Sequence, residues 1–202
     1  MKYGVFWIPP NPLQAIIAEE KLRAEKRFPD ATYLSHPVHA TLFVVDIPPH
    51  NEVLQPLQAV IRTCQPVATA VTGWHVFEND VSTGADTVVA MLDPTPGFRR
   101  LQVLVADALS SLRLIRNTTE DDDRSWPEPF RGSVLRYGYP FVGDHWLPHV
   151  TVASFPSDSS YVETVLERKL PAESLTVEKL SLWEIDGDHH RYCEDIPFKG
   201  AL

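Results

Sequence analysis

Cysteine is scarce: Cys64 and Cys193 are the only two in 202 residues. A disulfide framework is therefore excluded, and at most one bridge is open. No stretch approaches the roughly 20 apolar residues that span a bilayer. The opening, MKYGVFWIPPNP, is a short apolar run cut by prolines. It lacks the longer apolar region and small-residue cleavage site of a secretory leader. A soluble, cytoplasmic protein with no membrane partner is expected. Basic charge is also short: 18 Lys and Arg face 27 Asp and Glu, for a net charge of −9. Duplex nucleic acid is held by Lys and Arg neutralising phosphates, so a duplex partner is not expected. One phosphate can still sit in a local pocket, because global charge does not set local potential. There is no Gly-rich phosphate loop and no Gly-x-Ser-x-Gly elbow.

What is present is an ordinary apolar content, 44%, ample for a core. The length suits one large domain or two small lobes. Two short strings carry the chemistry: His39-Ala40-Thr41-Leu42 and His149-Val150-Thr151-Val152. Each is His-x-Thr-aliphatic inside an apolar run, HATLFVV and HVTVASF, that reads as a buried strand. Residues i and i+2 of a strand share a face. Each string thus sets one imidazole beside one hydroxyl and sends Ala40 or Val150 to the other side. Two imidazoles supply a general base and a general acid. Two hydroxyls hold an oxyanion. That set opens a phosphodiester without a metal or a cofactor.

Around these strings the chain punctuates itself. Residues 3–8 read as a strand ended by Pro9-Pro10. Residues 11–28 read as a helix capped by Asn11 with Pro12 at its first position. Its apolar face takes Leu13, Ile16, Ile17, Leu22 and Phe28. The first His-x-Thr strand spans about 39–47. A helix at 51–63 contains Pro56. Strands at Val67–Phe77 and Thr87–Leu92 flank a hairpin loop, Asn79 to Ala85. A helix covers 97–115. Residues 117–145, with the acidic run Glu120–Asp123 and Pro127, Pro129 and Pro140, read as an irregular solvated loop. The second His-x-Thr strand spans about 147–155, and a helix lies near 158–169. Strands at 174–185 and 191–198 close around the turn Asp186-Gly187-Asp188. The order of elements repeats once. This predicts an α+β fold of two pseudo-symmetric lobes, each an antiparallel sheet with helices, around a central groove. A single bilobal domain, 1–202, acting as a monomer, is expected.

Competing readings are weaker. His189-His190-x-x-Cys193 offers zinc-type ligands, but adjacent hairpin residues point to opposite faces and no second ligand pair has the spacing. A nucleotide or RNA-end binding module without turnover would keep the same pocket.

The two strings resemble those of the two-histidine phosphoesterase superfamily, which includes bacterial 2′-5′ RNA ligase-like proteins and cyclic nucleotide phosphodiesterases. HATL at 39–42 and PHVTV at 148–152 carry the resemblance. The opening strand with Trp7 and the ending LTVEKLSLWEIDGDHHRYCEDIPF are also similar to family members. The resemblance implies His39, Thr41, His149 and Thr151 as catalytic groups. It implies hydrolysis of a 2′,3′-cyclic phosphate, on a nucleotide or an RNA end, to a 2′-phosphate. A 2′-5′ oligonucleotide phosphodiesterase is the alternative within the family. Trp7 is a candidate to stack on a base, and Tyr192 a candidate to bond the phosphate.

Overall fold

The computed structural model describes residues 2–46, 50–112, 126–156, 160–171 and 173–199. Its strands are β1 (Lys2–Trp7), β2 (Ala40–Asp46), β3 (Val67–Phe77), β4 (Asp86–Leu92), β5 (His149–Phe155), β6 (Ser174–Val177), β7 (Lys179–Asp186) and β8 (His189–Pro197). Its helices are α1 (Leu13–Arg27), α2 (His50–Ile61), α3 (Pro96–Ser110), α4 (Phe130–Tyr137) and α5 (Ser160–Leu166). The strands form one antiparallel sheet in the order β6-β3-β4-β5-β2-β1-β7-β8. The order contains the expected two halves. Reading outward from the centre, β5-β4-β3-β6 mirrors β2-β1-β7-β8. The halves meet at one pair, Ala40 opposite Val150, the middle residues of the two strings.

Each half carries the same irregularity. In β2, Val5 pairs with Phe43 but Phe6 pairs with Thr41, so Leu42 is an extra residue. In β5, Val88 pairs with Ala153 but Val89 pairs with Thr151, so Val152 is extra. These are β-bulges, which bend a strand and re-aim its side chains. The bulge explains the aliphatic fourth residue of each string. Leu42 and Phe43 are both buried, as are Val152 and Ala153, where strict alternation would bury only one of each. Full burial of such aliphatic side chains contributes about 1.5–3 kcal/mol each.

The helices cover the sheet face that takes Ala40 and Val150. Phe98 and Gln102 of α3 are fully buried. Gln102 Nε2 donates to the carbonyls of Leu42 at 3.0 Å and Phe141 at 3.1 Å, and its Oε1 accepts from Gly143 N at 3.0 Å. Thr95 caps α3, its hydroxyl accepting from Phe98 N at 3.2 Å, as a Thr-Pro start predicts.

Several boundaries differ from those read in the sequence. Helix α1 starts at Leu13, with Pro12 rather than Asn11 at its cap position and no side-chain cap bond. Its buried face is Leu13, Ile17, Glu20, Lys21 and Ala24, while Leu22 is 59% exposed. Two charged side chains are tolerated inside because each reaches a polar partner, Glu20 a pair of guanidinium groups and Lys21 a backbone carbonyl. Glu20 meets Arg168 at 3.0 Å and Arg23 at 3.1 Å, and Lys21 Nζ donates to the Tyr33 carbonyl. The strand expected at 174–185 is two. β6 pairs with β3, and after Glu178 the chain joins the other half, where β7 pairs with β1. The supposed loop at 117–145 contains α4, closed by Gly138 at φ 73°, the left-handed position glycine favours. The acidic run Glu120–Asp123 lies outside the described residues.

Candidate active site

The antiparallel register through Ala40 and Val150 fixes the site. Carried one residue either way, it sets His39 across from Thr151 and Thr41 across from His149. Ala40 and Val150 are 0% exposed on the helix side. His39, Thr41, His149 and Thr151 are all half-buried on the opposite face. The four residues from two remote strings therefore form one square of alternating imidazole and hydroxyl. Trp146 ties the two strings together: its Nε1 donates to the Thr41 carbonyl at 2.9 Å.

Both imidazoles are oriented in the same way. His39 Nδ1 donates to the Pro37 carbonyl at 2.7 Å, and His149 Nδ1 donates to the Leu147 carbonyl at 2.7 Å. A carbonyl only accepts, so the ring proton sits on Nδ1 and the Nε2 lone pair is left for chemistry. Among the described residues, neither the Thr41 nor the Thr151 hydroxyl is engaged by a protein group.

The surroundings of the two rings differ. Phe6 stacks on His39, ring centres 3.9 Å apart and planes 26° apart. His190 lies 5.9 Å from His39 and 4.1 Å from His36, whose Nε2 is 3.8 Å from Asp188. Phe77 meets His149 edge-on at 5.1 Å. Burial pushes His39 down to about 3; His190, His36 and Lys21 add to this, and the Pro37 carbonyl opposes it. Burial also pulls His149 below its ordinary value, opposed by the Leu147 carbonyl and by Asp80. Burial holds His36 down at about 4, and His190 is lowered as well. In the free protein the groove thus favours neutral imidazoles.

Of the residues proposed from sequence, the structure brings His39, Thr41, His149 and Thr151 together. It places Trp7 elsewhere. Trp7 is 2% exposed and packs edge-on against Phe98 at 6.0 Å. That ring has no free face for a base. Strand alternation gives the groove side to its neighbour Phe6 instead. Tyr192 is 51% exposed on β8, edge-on to Trp183 at 5.4 Å, three strands from His39. Phe6, Phe77, His36 and His190 were missed. Phe6 carried a signal, since it precedes Trp7 by one residue in a strand with one face toward the helices. His36 stands only three residues before His39 in the same segment, whereas His190 carried no signal, because only tertiary folding brings it to His39. Among the described residues, no group of three or more His, Cys, Asp or Glu is arranged to hold a metal ion. Among them also, no helix is long and apolar enough to cross a membrane.

An all-antiparallel sheet with two mirrored His-x-Thr strands is the architecture of a two-histidine phosphoesterase. The model of the 2′-5′ RNA ligase superfamily matches residues 9–189, and the chain belongs to that family. Membership makes it a phosphoesterase-type protein of RNA or nucleotides. The fold is shared with solved structures of low sequence identity. TT0787 of Thermus thermophilus matches with a TM-score of 0.63 at 17% identity, covering 99% of each chain. LigT of E. coli, solved with 3′-AMP, matches with a TM-score of 0.53 at 14% identity, over 98% of this chain and 97% of that one. Usb1 of Kluyveromyces marxianus matches with a TM-score of 0.50 at 15% identity, over 97% of each. No curated protein matches the sequence.

Proposed function

We infer that the protein hydrolyses 2′,3′-cyclic phosphates, on nucleotides or RNA ends, to 2′-phosphates. The observation that carries this reading is the Ala40–Val150 pairing, which sets two imidazoles and two hydroxyls around one centre. A phosphate there has an imidazole Nε2 on each side and a hydroxyl beside each imidazole. One neutral His takes the proton of the attacking water, and the other, protonated, gives a proton to the departing ribose oxygen. Thr41 and Thr151 donate to the non-bridging oxygens, where charge grows in the transition state. No step requires a metal. A 2′,3′-cyclic phosphate suits this arrangement because the water and the leaving oxygen lie on opposite sides of phosphorus, as the imidazoles do. The structure of LigT with 3′-AMP supports a nucleotide as ligand by analogy. Tyr192 is the exposed aromatic available to a substrate that extends along the β7–β8 hairpin.

The test is an assay in chelator of 2′,3′-cyclic AMP and of an RNA ending in a cyclic phosphate. Wild type, His39→Ala and His149→Ala run together, with phosphorus NMR of the product. Turnover to a 2′-phosphate is expected, reduced by about 10²–10⁴ in each variant. Binding of the cyclic nucleotide with no hydrolysis by wild type would replace the enzyme reading with a binding module. Cleavage of 2′-5′ oligonucleotides alone would move the activity to that substrate.

A further inference from the structure

The mirror relation between the two halves exposes one place where they differ beside the catalytic pair. Phe6 stands opposite Thr41, and Val89 stands opposite Thr151. Two residues back, Gly4 stands opposite Val44, and Thr87 stands opposite Ser154. The first half therefore has Gly4-x-Phe6 where the second has Thr87-x-Val89. Thr87 and Val89 fill their positions with compact side chains, and the Thr87 hydroxyl bonds Asp80 at 2.7 Å and Ser154 at 2.5 Å. Gly4 fills nothing. A Cβ built there would overlap Cζ and Cε1 of Phe6 and would sit 3.0 Å from Ile185 Cδ1. The Phe6 ring lies folded back over the glycine, 1% exposed, stacked on the imidazole of His39 at 3.9 Å and tilted against His190 at 5.8 Å and Trp183 at 6.4 Å.

We propose that Phe6, seated in the space Gly4 leaves open, is a positioning residue for His39. The inference rests on the reading that His39 takes part in catalysis. The Pro37 carbonyl holds Nδ1 of His39 but leaves the ring free to tip about that bond. A face-to-face stack at 26° removes the tipping. His149 has the matching carbonyl bond but only an edge contact from Phe77, so this restraint belongs to one imidazole of the two. Small displacements of a catalytic group from its attack geometry are costly, on the order of 10²-fold for about 1 Å. The stack therefore acts on kcat, since Phe6 has no surface to offer a substrate.

A double-mutant cycle on Gly4 and Phe6 tests this, using 2′,3′-cyclic AMP turnover and the NMR signals of the His39 ring. Phe6→Leu keeps an apolar filler and is expected to lower kcat by about tenfold or more, with KM unchanged. Gly4→Ala is expected to do the same, because the new methyl evicts the ring. Gly4→Ala in the Phe6→Leu background is expected to cost nothing further, since no ring remains to be displaced. The His39 ring protons should move downfield in all three variants as the stack is lost, and those of His149 should stay. Full kcat in Phe6→Leu would overturn the proposal, as would additive losses across the cycle or an unmoved His39 signal. The NMR arm stands apart from turnover. If wild type hydrolyses nothing, the cyclic-phosphate reading fails, while the His39 signals still decide whether Phe6 positions the ring.

Discussion

Measured against pH, kcat/KM and kcat should trace two displaced curves. The acid–base scheme needs one neutral and one protonated imidazole at the same time. In the free protein, burial holds His39 at about 3 and lowers His149 too. Half of an unperturbed imidazole population is protonated at pH about 6.5. With a value near 3, His39 carries a proton at that pH in only about one molecule in 3,000, since each unit is a factor of ten. The singly protonated form is thus populated on the acid side of 6.5. Because kcat/KM reports the free enzyme, its optimum belongs there. A bound phosphate anion within hydrogen-bond reach favours the charged imidazole and raises both values. The kcat optimum therefore lies at higher pH. The assay is initial rates on 2′,3′-cyclic AMP from pH 4 to 9 at constant ionic strength. Coincident optima near 6.5, the outcome for unperturbed imidazoles, would refute the role given to burial. A flat profile from pH 5 to 9 would refute the imidazole pair itself.

Thr41→Val and Thr151→Val preserve a β-branched strand residue and remove only the hydroxyl. Each should lower kcat by about 10²-fold, in the range for one lost oxyanion donor, with KM little changed; an equal rise in KM with kcat intact would make the hydroxyls ground-state binders. Gln102→Leu leaves the carbonyls of Leu42 and Phe141 and the amide of Gly143 without their partner. Only the bond to Leu42 is fully buried, so at about 1–3 kcal/mol for a stranded buried group the loss should be about 1–3 kcal/mol in denaturant unfolding; no measurable loss would mean that the backbone groups find other partners. Stability itself should fall in acid. His36 and His39 titrate at about 4 and about 3 when folded but near 6.5 when unfolded, so the unfolded chain binds more protons between those values. Stability is then full above about 6.5 and drops as pH falls toward 3. His39→Gln should reduce that slope, and an unchanged slope would exclude His39 from it.

Sequence pattern alone determined the local parts of this protein. The two His-x-Thr strings, the period-two burial around them, the Val67–Phe77 strand and the hairpin loops at Asn79 to Ala85 and at Gly187 all follow from near-neighbour sterics and patterning. Hence the four residues of the candidate site were legible: each His–Thr pair is fixed by the geometry of its own strand. Helix α4 was obscured because its eight residues follow two prolines and include Gly132, though Gly138 marked its end. Burial of Glu20 and Lys21 was not legible, since their partners Arg168 and the Tyr33 carbonyl are remote. Neither was the break at Glu178, because which half a strand joins depends on open sheet edges rather than on its own residues. What only the tertiary structure decided is the relation between the strings. One pairing, Ala40 with Val150, sets the imidazoles against the opposite hydroxyls, and sheet order brings Phe6 and His190 around His39. A strand sequence specifies which side chains share its face, but long-range packing chooses the strand beside it, and the chemistry of this groove lies across that choice.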